Sequence, residues 1–87
     1  MRFQFNPTKA ALNLKKHGVS FADVEGVFAD PLAAHRADPD AEGEERFIAL
    51  GVGNAGQVLV VSYTLRGNEI RPTSARTIRR EVKAYAS

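Results

Sequence analysis

Arg66, Arg71, Arg76, Arg79 and Arg80 crowd the end of the chain, with Glu69 the one acid between the first and the last of them. A guanidinium presents a planar fork of donors that matches phosphate bidentately, so such a patch faces an anionic partner. Arginine, lysine and histidine together suit cleavage of RNA without a metal. There the ribose 2′-OH attacks the adjacent phosphate, and the protein must position the backbone, neutralise the added negative charge and move protons. Arginines serve the charge. His17 is a candidate to move protons, since histidine titrates near neutrality, but a helix C-terminus would also hold it through the macrodipole. Arg66 either meets an anion or pairs with Glu69 across a hairpin. Arg79, Arg80 and Lys83 either bind RNA or line a solvated helix face.

Other chemistries find less in the sequence. Without cysteine there is no disulfide, thiolate site or sulfur nucleophile. His17 and His35 fall on separate elements, Asp38-Pro39-Asp40 reads as a solvated turn, and no Ser-His-Asp constellation is legible, so neither metal nor cofactor is expected. Gly51-Val52-Gly53-Asn54-Ala55-Gly56 matches G-x-G-x-x-G, but a dinucleotide loop must open a helix, and here a β-patterned run, Val58–Val61, follows. These glycines are expected to turn a hairpin.

Charge is distributed unevenly. The net charge is only +2, yet residues 30–45 hold six acids against Arg36, while residues 65–87 hold five arginines and Lys83 against two glutamates. Such a split makes an electrostatically polar molecule with a basic side, unless the two segments neutralise each other in the fold. With 87 residues, 44 % apolar and 25 % charged, the chain has the composition of one small globular domain, expected over residues 1–87. No apolar run reaches the ~20 residues a membrane helix needs, and the N-terminus lacks an apolar signal segment, so a cytoplasmic protein is the expectation.

These side chains must be positioned by an α+β arrangement. Asn6-Pro7 reads as an N-cap followed by proline at the first helical position, and the helix should run from Pro7 to His17 with Gly18 ending it. Ala10, Ala11 and Leu14 are expected on its packed face, with Lys9, Asn13, Lys16 and His17 on a polar stripe. Ser20 caps a second helix in which Phe21, Val24 and Phe28 are core and which Asp30-Pro31 stops. A three- or four-stranded antiparallel meander follows: a short strand within residues 32–38, then residues 46–52, 58–65 and 70–75. A final helix is expected from Thr77 to Ala84.

Gly67-Asn68 is a two-residue hairpin signal, which sets Arg66 opposite Glu69 and Thr64 opposite Arg71. Uninterrupted pairing would continue with Ser62 opposite Thr73 and Leu59 opposite Arg76. Arg66 and Arg71 then share one sheet face, and Arg46 joins them beside Thr64 if Val52 pairs with Val58. Strand parity sends Arg76 to the other face. A bulge at Pro72, which cannot donate to the ladder, would bring it back.

Several segments resemble the BrnT family of type II toxins: Phe5–Lys9, Asn13–Phe21 (with Lys16-His17-Gly18-Val19-Ser20-Phe21), Val27–Pro31, Glu45-Arg46, Leu50-Gly51, Val61–Thr64, Arg66-Gly67 and Ser74-Ala75-Arg76. The resemblance implies a RelE-like fold, a ribonuclease toxin that inhibits translation, and a BrnA-type antitoxin that neutralises it as a hetero-oligomer. In that family the antitoxin carries the DNA-binding domain, so operator DNA would be met only through it. The basic residues matching the family motifs are Lys16, His17, Arg46, Arg66 and Arg76, which the resemblance implies as catalytic; Arg71, Arg79 and Arg80 are the expected RNA contacts. Phe5-Asn6 stands where the family usually has an aromatic-Asp pair, and Pro72-Thr73 where it has an aliphatic residue, which should bend the last strand near Arg76. The competing expectation is a catalytically degenerate module that only assembles with its antitoxin for operon control. A stand-alone DNA-binding protein fits less well, because the second helix carries Asp23 and Glu25 rather than a basic recognition face.

Overall fold

A computed structural model describes residues 2–43 and 45–78. The chain opens with a short strand β1 (Arg2–Phe3), then helix α1 (Pro7–His17). A 3-10 turn, Phe21–Asp23, runs into helix α2 (Val24–Ala29). Strands β2 (Ala34–Ala37), β3 (Phe47–Val52), β4 (Val58–Arg66) and β5 (Glu69–Thr77) follow. The strands lie in the order β1-β5-β4-β3-β2, so the expected antiparallel meander is β2 to β5. To it is added β1, which pairs parallel to β5 through Arg2–Glu69 and Phe3–Ile70.

Local chemistry explains the helix limits. Asn6 accepts from the backbone N–H groups of Thr8 and Lys9, Pro7 starts α1, and Gly18 ends it in the left-handed region at φ 69°. The helix is nevertheless rotated relative to the expectation. Leu14 is 53 % exposed, whereas Asn13, assigned to the polar stripe, is only 6 % exposed. Asn13 Nδ2 donates to the carbonyls of Val19 (3.0 Å) and Ala75 (2.9 Å), and its Oδ1 accepts from Ala75 N–H (3.0 Å). One amide thus takes both backbone groups of Ala75, which on this flank of β5 have no β1 partner. A leucine there would leave them buried and unmade, at about 1–3 kcal/mol each. Polar satisfaction overrides hydrophobic periodicity.

Val19, Phe21, Val24, Val27, Ala49, Leu59, Val61, Tyr63, Ile70 and Ala75 form the core between the helices and one sheet face. Phe3, Phe5 and Phe28 pack against it, with the Phe28 ring edge-on to Tyr63 at 4.8 Å. The G-x-G-x-x-G run turns the expected hairpin: Gly53 N–H donates to Gln57 O, and Gly56 takes φ 81°. Thr77, expected to begin the last helix, is still in β5, because the strand carries one residue more than uninterrupted pairing allows. The remainder of that expected helix, with Arg79 and Arg80, lies outside the described residues.

Candidate functional site

The β4–β5 turn does what Gly-Asn requires. Gly67 has φ 58° and Asn68 does not, the pattern of a turn that wants glycine first. Arg66 pairs with Glu69, Leu65 with Ile70, and Thr64 with Arg71, as expected. The register then shifts. Tyr63 pairs with Pro72, but Ser62 pairs with Ser74 rather than Thr73, and Val60, not Leu59, pairs with Arg76. Thr73 is the extra residue. Pro72 has no N–H to give the ladder, and Thr73 Oγ1 donates to Ser62 O at 3.1 Å in its place.

The bulge reverses the parity of everything beyond it. Arg76 comes level with Val60 on the face that also carries Ser62, Thr64 and Arg66, which corrects its assignment to the opposite face. Beyond the Val52–Val58 and Phe47–Tyr63 pairs, Arg46 falls level with Thr64, where the hairpin argument places it.

Shared face does not mean shared site. Arg46, Arg66 and Arg71 line one cleft of about 560 Å³, together with Thr64, Thr73, Glu42, Lys9 and the Gln4–Pro7 segment. Arg76 lies four residues of β4 further along, about 13 Å at strand rise, and lines a separate groove with Arg36, Ile48, Leu50 and Val60. Lys16 and His17 line a third groove, along α1, with Lys9, Leu12, Asn13, Lys15, Thr73 and Ser74. Lys9 and Thr73 belong to both the cleft and the α1 groove. The structure therefore gathers three of the expected arginines, sets Lys16 and His17 next door, and places Arg76 at a distance.

Glu69 holds one of the cleft's arginines. Its carboxylate accepts from Arg2 Nη2 at 3.1 Å and from Arg71 Nη2 at 3.3 Å. The bond from Arg2, then that from Arg71, holds Glu69 below the usual carboxylate range. Arg71 is thereby anchored by one edge, while its Nε is buried with no acceptor among the described residues. Thr64, 8 % exposed, lies on the cleft lining beneath the arginines.

Two residues of this cleft escape sequence reasoning. Lys9 is read there only as part of a polar helix stripe, and Glu42 only as part of an acidic loop. On the helix side of the sheet, His35 Nδ1 lies 3.0 Å from the Tyr63 hydroxyl, whose pKa is raised by burial. Those two residues are on the opposite face from the arginines.

Residues 5–81 match the model of the ribonuclease toxin BrnT of type II toxin–antitoxin systems. The chain belongs to the BrnT family. The crystal structure of the Brucella abortus ribonuclease toxin BrnT is similar in fold, with a TM-score of 0.68 and 24 % identity over 90 % of this chain and 96 % of that one. No curated protein sequence matches the chain. Membership of the BrnT family makes this a ribonuclease toxin of a type II toxin–antitoxin system. No helix among the described residues is long and apolar enough to cross a membrane.

Proposed function

We propose that the toxin cleaves RNA in the Arg46–Arg66–Arg71 cleft without a metal ion, on a RelE-like fold, and thereby inhibits translation in the cytoplasm. A BrnA-type antitoxin would neutralise it, and operator DNA would be reached only through that partner. The observation that carries this reading is the convergence of three arginines and Lys9 on one cleft.

In this mechanism the scissile phosphate sits among Arg46, Arg66 and Arg71. The 2′-oxygen attacks the adjacent phosphorus and the bond from phosphorus to the 5′-oxygen breaks, which leaves a 2′,3′-cyclic phosphate and a 5′-hydroxyl. Negative charge grows on the non-bridging oxygens, where preorganised cationic donors are most effective. The 2′-OH proton needs an acceptor, and Glu42, the carboxylate among the cleft's described lining residues, takes it, while water gives the departing 5′-oxygen its proton. His17 and Lys16, in the adjoining groove, act on the strand rather than on the transferred proton.

Expression without antitoxin, followed by growth and RNA integrity, tests the reading. Growth arrest and RNA cleavage that survive EDTA, and that Arg66→Ala abolishes, are expected. Intact RNA at high expression, with tight antitoxin binding retained, would instead establish the degenerate assembly module.

A further inference from the structure

The α1 groove has about 710 Å³ of space and a lining that, Lys9 and Thr73 apart, the cleft does not use. Lys9, Leu12, Asn13 and Lys16 recur at i, i+3, i+4 and i+7, which puts them on one helix face. Asn13 is committed inward to Ala75, so the face presents lysines and an apolar leucine. Leu12 is 61 % exposed, an unusual position for a leucine between two cations. Lys15 and His17 complete the basic rim, and no carboxylate is among the described residues that line the groove.

This groove is not isolated from the cleft. Lys9 and Thr73 line both, so a chain leaving the cleft over the β5 bulge passes directly into it. From Lys9 to Lys16 the helix advances about 10 Å, long enough for a length of strand rather than one phosphate. Cations alternating with an apolar surface are what single-stranded nucleic acid uses: phosphates meet the ammonium groups while a base covers the hydrocarbon.

We propose that the α1 groove is a subsite for single-stranded RNA flanking the cleaved position, with Lys9, Lys15 and Lys16 on its phosphates and Leu12 against a base. The subsite rests on the reading of the cleft as the place where the scissile phosphate binds. Its occupant is RNA rather than a protein segment, because the groove is basic and continuous with that cleft.

The test compares a dinucleotide and a hexanucleotide, each with a single ribonucleotide at the cleavage position in an otherwise 2′-O-methyl strand. The variants are Lys15→Glu and Leu12→Glu, both at exposed α1 positions. Each is expected to raise KM for the hexanucleotide about fivefold or more while kcat stays unchanged, and to leave dinucleotide cleavage alone. Lys15→Glu should also lower the salt slope of hexanucleotide binding by about 0.7, the share of one phosphate contact. Equal losses on both substrates, or none on the hexanucleotide, would overturn the subsite. So would a loss confined to antitoxin binding, which would make the groove a protein-docking surface. If the wild type binds but cleaves neither substrate, the cleavage reading fails by itself. Binding of a fully 2′-O-methylated hexanucleotide then decides the groove, weakened binding by Lys15→Glu supporting it and unchanged binding refuting it.

Discussion

The two ends of one sheet face are lined by different chemistry. At the hairpin end, Arg46, Arg66 and Arg71 surround Thr64 in a polar cleft. Four residues along β4, the same face turns apolar, with Ile48, Leu50 and Val60 beside Arg76 and Arg36. Both ends use arginine, but among the described residues only the hairpin end adds a lysine from α1 and a carboxylate from the β2–β3 loop. An arginine on a sheet becomes a candidate catalytic group through what other elements bring to it.

The difference is open to experiment. Arg66→Ala or Arg71→Ala should lower kcat for RNA cleavage about 10²–10³-fold, as loss of one preorganised donor to a developing oxyanion does. Glu42→Gln should cost about 10²-fold in kcat for RNA cleavage with little change in KM, which a purely structural carboxylate would not do. Asn13→Ala should lower unfolding free energy by about 2–3 kcal/mol, seen as a reduced thermal midpoint, because both backbone groups of Ala75 lose their partner. In a double-mutant cycle on cleavage, Arg66 with Arg71 should couple, whereas Arg66 with Arg76 should be additive within about 0.5 kcal/mol, since the latter pair is well separated. Strong Arg66–Arg76 coupling would erase the distinction between the two ends.

The smallest effects concern the scaffold. Thr73→Ala removes the hydroxyl that bonds Ser62 O and should cost about 1 kcal/mol in chemical denaturation. Stability should also fall as pH drops through the acid range. Glu69 is lowered by its bonds from Arg2 and Arg71, and Asp30 by the backbone N–H groups of Val52 and then Leu32. A carboxylate with a lowered folded-state pKa contributes stability that is full above its unfolded value and lost as pH falls through the folded one. Glu69→Gln should therefore lower stability slightly at neutral pH and make the acid limb shallower by that same small amount, because the pair is largely solvent-screened.

Much of this was legible before folding, where the cause is local. Asn6-Pro7 and Gly18 bound α1 because caps act on their own neighbours. Gly67-Asn68 sets the first pairs of the hairpin because a two-residue turn leaves little choice of register. Those pairs already bring Arg66 and Arg71 together, and the β3–β4 hairpin adds Arg46.

Three decisions needed the folded chain. Asn13 is buried because Ala75, 62 residues away, offers both a donor and an acceptor that nothing else takes. The bulge at Thr73 follows from Pro72, but its position and one-residue size are set by how β5 must meet β4 and α1 together. Lys9 and Glu42 enter the arginine cleft from elements that strand parity cannot relate to it. Local backbone preference and strand alternation identified the arginines and their face, since both act over a few residues. Which arginines share a cleft, and what joins them there, was decided by packing between elements far apart in the chain, where burial and hydrogen-bond satisfaction outweigh periodicity.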